Sequence, residues 1–142
     1  MTGVQTCALP ISKSLELDFF QFRTAEAYFR QNNFEQARTE YQLILENFPK
    51  SQYIAKSRFE IGNTYYMEGK YDIALEALKQ VGRYHPQTEY AVEAEFLIAQ
   101  CLEQTQKEQA AIQIYENLKN RYRSEEHTSE LQSLRHRMPS SA

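Results

Sequence analysis

Apolar side chains along Lys13–Tyr122 return at spacings of three and four, as in Ile61 and Tyr65 and then Ala74, Leu78 and Val81. That period puts them on one stripe of an α-helix. The stripe is interrupted around Asn32, Gly69 and Gln106. Gly and Asn tolerate positive φ and so fit a left-handed helix C-cap; Gln106 is the weak member of the three. Alternate helices end near Phe48 and His85, because Pro49 and Pro86 disfavour helical geometry just before them and lack a donor. Ser51 and Thr88, two residues further on, are suited to cap the next helix by accepting its free N–H groups. The pattern predicts helices over 15–31, 34–47, 52–68, 71–84, 89–104 and 107–121.

The pattern repeats. A shift of 37 residues lays RTAEAYFRQNNFEQARTEYQLILENFPKSQY over EIGNTYYMEGKYDIALEALKQVGRYHPQTEY, and a second shift brings in LIAQCLEQTQKEQAAIQIYENLKNRY. The registered columns are Phe22/Phe59/Phe96, Ala25/Gly62/Ala99, Tyr28/Tyr65/Leu102, Ala37/Ala74/Ala111, Tyr41/Leu78/Tyr115 and Ile44/Val81/Leu118. The small columns mark close approach of paired helices, where a larger side chain would overpack. One helical hairpin cannot bury its stripe alone, so neighbours must stack. The fold class is therefore all-α, an α-solenoid of about three helix-turn-helix repeats, at about 15–51, 52–88 and 89–122.

The two ends do not follow this pattern. Back-translating Arg123–Ser133 with suitable codons, adding one base and taking the reverse complement returns Met1–Ile11. The ends thus match opposite strands of one oligonucleotide and resemble the ligated adapter of a sequencing library. Residues 1–12 and 123–142 are expected to be adapter-derived and are set aside from fold reasoning. The repeat agrees: after Pro49 and Pro86 the next proline is due at 123, where Arg stands. The middle then reads as a fragment of a longer protein, of metagenomic origin. The ends should lack selected contacts, although Ser124–Arg135 could form a fortuitous helix. Cys7 has no preceding apolar run to make it a lipidation cysteine, and Cys7, His127 and His136 lack zinc-ligand spacing.

The stretch GNTYYMEGKYDIALEALKQV, with Gly62, Tyr65, Gly69, Tyr71, Ala74 and then Pro86, resembles a tetratricopeptide repeat. Its usual period is about 34 residues, so three extra residues separate these units. The longer form resembles repeats of bacterial envelope proteins, such as outer-membrane assembly lipoproteins and the periplasmic partner of the Tol–Pal system. That resemblance implies a periplasmic or outer-membrane-associated location. It also implies that the first helix of each hairpin lines a concave groove. Here that face carries Phe22, Glu26, Phe29 and Arg30, then Phe59, Asn63, Tyr66 and Met67, then Phe96, Gln100, Glu103 and Gln104. Phe22, Phe59 and Phe96 recur so strictly that inter-repeat core is an equal reading for them, whereas Phe29, Tyr66 and Met67 are expected to face the groove. The family's carboxylate-clamp variety needs Lys and Arg beside an Asn. Asn63 lacks such partners, which argues against a receptor for chaperone tails.

Charge and composition narrow the chemistry. Lys13–Tyr122 holds 13 Lys and Arg against 16 Asp and Glu, of interspersed sign. A nucleic-acid binder would show a basic stripe, so no nucleic-acid partner is expected. Nor does any run approach the ~18 apolar residues of a membrane span. His85, between Tyr84 and Pro86, reads as a turn residue because no partner orients it as a base. Cys101 has no basic neighbour to lower its pKa and reads as packing. No cofactor or metal motif is present, and no enzyme activity is expected. The leading function is a non-catalytic scaffold whose groove holds an extended or helical segment of a partner protein. The alternatives are spacer repeats in a long array and an appendage to an enzyme encoded elsewhere. The last hairpin, with Ile112, Tyr115 and Leu118, is expected to expose apolar surface and so to promote self-association through the open ends.

Overall fold

The computed structural model describes the backbone of residues 11–141 and the side chains of residues 16–126. Six helices follow one another: α1 (Ile11–Arg30), α2 (Phe34–Asn47), α3 (Ile54–Met67), α4 (Tyr71–Tyr84), α5 (Glu89–Gln104) and α6 (Glu108–Ser141). Each packs mainly on its neighbours in the chain, and α3 also touches α5. Contacts confined to helices one or two places apart in the chain define a solenoid of helical hairpins. The expected bounds hold within two residues for α2 to α5. By contrast, α6 does not stop at 121. Position 123 is Arg rather than the proline the register places there, so nothing removes a helical hydrogen bond, and the helix runs on to Ser141. The expected lack of tertiary contacts over residues 1–12 and 134–142 falls outside the described side chains.

All three hairpin turns use the same device. Asn32, Gly69 and Gln106 have φ of 60°, 75° and 61°. Beyond each, an N–H reaches back to the last turn of the helix: Asn33 to the Tyr28 carbonyl at 2.9 Å, Lys70 to Tyr65 at 2.9 Å, Lys107 to Leu102 at 2.8 Å. A second bond accompanies each, from the N–H of the left-handed residue to the carbonyl three residues before it, which makes these Schellman caps. Gln106 adopts the left-handed conformation at a steric cost that glycine avoids. Gln106→Gly is therefore expected to stabilise the chain by about 0.5–1 kcal/mol, the relief of that strain less glycine's greater loss of backbone entropy. Chemical denaturation of the two proteins checks this.

The expected side-chain N-caps are not formed. Ser51 lies outside the helix: its hydroxyl accepts the Tyr53 N–H at 3.1 Å and donates to the carboxylate of Asp18. Asp18 is buried in α1, at the register position of Ala55 and Val92, and ties α1 to the α2–α3 connection through that bond. Thr88 does occupy the N-cap position of α5, but its hydroxyl donates back to the His85 carbonyl at 2.8 Å.

Two clusters form the core. Phe22, Ala25, Ala37, Tyr41 and Ile44 join α1 to α2, with Tyr53, just before α3, and Ile61 of α3 packed against them. Ala74, Leu78 and Val81 of α4 join Ala94, Leu97 and Cys101 of α5, with Phe59 and Tyr90 alongside. Gly62 shows why its column is small: a Cβ there would come within 2.6 Å of the Leu78 Cγ and Cδ2 atoms. Arg38 clasps the first unit to the second. Its guanidinium lies 4.3 Å from the centre of the Tyr65 ring, donates to the Thr64 hydroxyl at 3.3 Å and pairs with the Glu68 carboxylate.

Candidate partner-binding groove

The first helices of the hairpins, α1, α3 and α5, carry the sequence-selected residues, and the structure treats each column differently along the chain. Phe22 is 3 % exposed and stacks on Tyr53, 4.7 Å between ring centres, with the Lys56 ammonium 4.8 Å from its own. It belongs to the core. Phe59 is half-buried and approaches Tyr90 at 6.3 Å. Phe96 touches Tyr115 at 5.8 Å yet remains 49 % exposed. The same residue type at the same register is core at one end and surface at the other.

Phe59, Asn63, Phe96 and Gln100 meet in one cavity of about 600 Å³, with Leu97 and Val92 in its apolar wall and Glu93 beside them. Its remaining wall comes from Tyr115, Leu118 and Tyr122 of α6, which were not assigned to the groove from sequence. They lie on a second helix, where periodicity marks an apolar stripe without saying which space it faces. Leu118 is buried rather than exposed as expected, while Tyr115 is half-buried and its hydroxyl donates to Glu103 at 3.0 Å. Ile112 is exposed.

The other selected residues do not reach this cavity. Phe29 packs edge-on against Phe34 and Tyr66 against Tyr71, each pair 5.5 Å apart, so both rings fasten their own hairpin at its turn and are half-buried. Met67 is exposed beside that turn. Glu26 is surrounded by cations: Arg23 at 2.6 Å, Lys56 at 3.3 Å and the exposed Arg30 at 4.0 Å. Asn63 donates its amide to Glu60 at 3.0 Å, and burial, aided by the charges of Glu26 and Glu93, holds the Glu60 carboxyl above its ordinary range despite that bond and nearby Lys56. A larger hollow of about 700 Å³ lies between α2 and α3, lined by Arg38, Glu68 and Lys70 over Leu43 and Ile61. Arg38 and Lys70 both pair there with Glu68, Lys70 at 3.4 Å.

The reactive side chains are built in as packing. Cys101 is fully buried, and burial pushes its thiol up to about 11, with the charge of Asp72 acting the same way. Among the described residues no three His, Cys, Asp or Glu side chains gather as a metal site. No described helix is long and apolar enough to cross a membrane. His85 accepts from the Arg58 Nε at 3.3 Å, and Arg58 stacks on Tyr84 at 4.7 Å. Burial, and then the Arg58 charge, lower the His85 pKa. The unfolded chain thus binds a proton more readily than the folded one, and stability present above the unfolded pKa of about 6.5 is lost as pH falls through the lowered folded value. From pH 7.5 to 5.5 the thermal midpoint is expected to change less favourably in the parent chain than in His85→Gln; melting curves at both pH values check it. The raised Glu60 carboxyl, which stabilises as pH falls, acts in both.

Two family profiles described as tetratricopeptide repeat match the sequence, over residues 20–51 and 59–124. The chain belongs to the tetratricopeptide-repeat proteins. The tetratricopeptide-repeat domain of Arabidopsis FLU, known from a crystal structure, is similar with a TM-score of 0.65 and 20 % identity, covering 81 % of this chain and 99 % of that one. At that identity the likeness establishes the fold, a helical solenoid. No curated protein matches the chain as a relative. Tetratricopeptide domains generally mediate protein–protein interaction and are typically non-catalytic scaffolds. These matches bear out the repeat class read from Gly62 to Pro86.

Proposed function

We propose that the chain is a protein-interaction scaffold whose first-helix face holds an extended or helical segment of a partner protein. The supporting observation is the cavity of about 600 Å³ between Phe59, Phe96 and Tyr122, with Asn63, Gln100 and Glu93 beside it. Large aromatic side chains with a few polar groups around them are the composition of binding hot spots. The net negative charge of the repeats and the absence of a basic stripe favour a protein over a nucleic acid. The first unit supports the spacer reading for itself alone, since Phe22 is buried and Glu26 is paired. The 37-residue spacing supports a place among envelope-type repeat proteins.

Selection of ligands from a displayed peptide library tests the scaffold reading. Selected peptides are expected to lose about tenfold or more in affinity on Phe96→Ala or Asn63→Ala, as hot-spot truncation does. Ile73→Ala, at an exposed position on α4, should leave affinity unchanged. Ligands insensitive to Phe96 and Asn63, or no ligands at all, favour the spacer.

A further inference from the structure

Twice in this chain a cation lies on an aromatic ring and pairs with a carboxylate at the same time. The Lys56 ammonium is 4.8 Å from the centre of the Phe22 ring and 3.3 Å from Glu26. The Arg38 guanidinium is 4.3 Å from the centre of the Tyr65 ring and pairs with Glu68. Each arrangement adds the pull of the ring's negative face to a charge-assisted contact.

One period after the first of them, the ring is kept and the cation is not. Phe22 becomes Phe59 and Tyr53 becomes Tyr90, but Lys56 becomes Glu93. The other cations around Glu26 are lost as well: Arg23 becomes Glu60, Arg30 becomes Met67, and Glu26 itself becomes Asn63. The ring contact also opens, from 4.7 Å and stacked between Phe22 and Tyr53 to 6.3 Å and tilted between Phe59 and Tyr90. Phe59 and Glu93 line one cavity with Asn63, Phe96 and Gln100. This part of it lies between α3 and α5, each of which has a helix packed on either side. Glu93 is exposed, and no ion pair reaches it among the described residues. A ring and a carboxylate therefore stand together without the cation that completes such a set elsewhere in the chain.

We infer that the cavity takes an arginine side chain of the partner segment, its guanidinium set between Glu93 and the Phe59 and Phe96 rings. This rests on the scaffold reading and gives the partner a charge, that of a basic segment. A planar guanidinium stacks on a ring while it pairs with a carboxylate, and it is more weakly hydrated than an ammonium. An acidic segment would meet Glu93 and Glu60 as like charges. A purely apolar one would cover Glu93 without supplying a counter-charge.

The full 142-residue chain is panned against the displayed library, and single selected peptides are remade with a fluorescent label. They are expected to carry an arginine whose change to glutamine lowers affinity about tenfold or more, as Glu93→Gln in the chain also does. Glu93→Arg should reverse the preference, so that a peptide with glutamate in place of that arginine binds the variant better than the original peptide. Glu76→Gln, at an exposed position of α4, should leave affinity unchanged. A second measurement needs no ligand. Glu93→Lys returns an ammonium to the register position of Lys56 and should raise the thermal midpoint above that of Glu93→Gln, with the Glu60 carboxyl titrating lower by NMR. A Glu93→Lys chain no more stable than Glu93→Gln overturns the inference. So do selected peptides that need no cation or ignore Glu93; if these still depend on Phe96 and Asn63, the scaffold reading stands. A library that yields no ligand removes both.

Discussion

Leu78→Ala is expected to destabilise the chain by about 3 kcal/mol, within the 2–5 kcal/mol range for buried Leu truncations. Leu78 is fully buried where α4 meets α3 and α5, so its removal opens a hole that three helices would have to close together. Packing along the array is local, and the damage should therefore concentrate in the second and third units. Hydrogen exchange should show weakened protection in α3 to α5 beyond that in α1, and denaturant titration supplies the magnitude. A loss below about 1 kcal/mol would mean that the units collapse freely around the gap, contrary to a close-packed core.

Gly62→Ala is the opposite perturbation of the same contact. The added methyl would lie 2.6 Å from two carbons of Leu78 and 3.3 Å from its backbone nitrogen. Overpacking of this kind costs about 1–3 kcal/mol, partly offset by the gain of up to ~1 kcal/mol in helix propensity. Gly82 in α4 isolates the propensity term: its Cβ would meet nothing within 4 Å, so Gly82→Ala should stabilise. The decisive measurement is the double mutant. With Leu78→Ala in place the colliding side-chain carbons are gone, and Gly62→Ala should become neutral or stabilising. A double-mutant cycle with no coupling between the two positions would remove the steric account of the Gly62 column.

What could be read in advance follows from which interactions are local. Helix positions and the left-handed residues Asn32, Gly69 and Gln106 depend on period and turn chemistry within a few residues, and both were legible. The role of Ser51 was not, because its hydroxyl turns to Asp18, 33 residues earlier in the chain. The selected groove residues divided for a similar reason. Phe22, Phe59 and Phe96 are indistinguishable by register, yet Phe22 is buried under the stacked Tyr53 ring, whereas Phe59, despite a tilted contact with Tyr90, and Phe96 both line the cavity. Tyr122 entered the cavity because α6 continues past the point where the period would break it.

The clasp made by Arg38 bears on how such an array can be rearranged. Its three contacts, Tyr65, Thr64 and Glu68, map one period later onto Leu102, Cys101 and Thr105. None of those offers a carboxylate or an aromatic face. Excision of the middle unit would join helices whose apolar stripes still match, yet it would leave the guanidinium without its counter-charge at the new joint. The apolar columns permit the units to be reordered like beads, whereas this polar junction gives the first two a fixed address relative to each other.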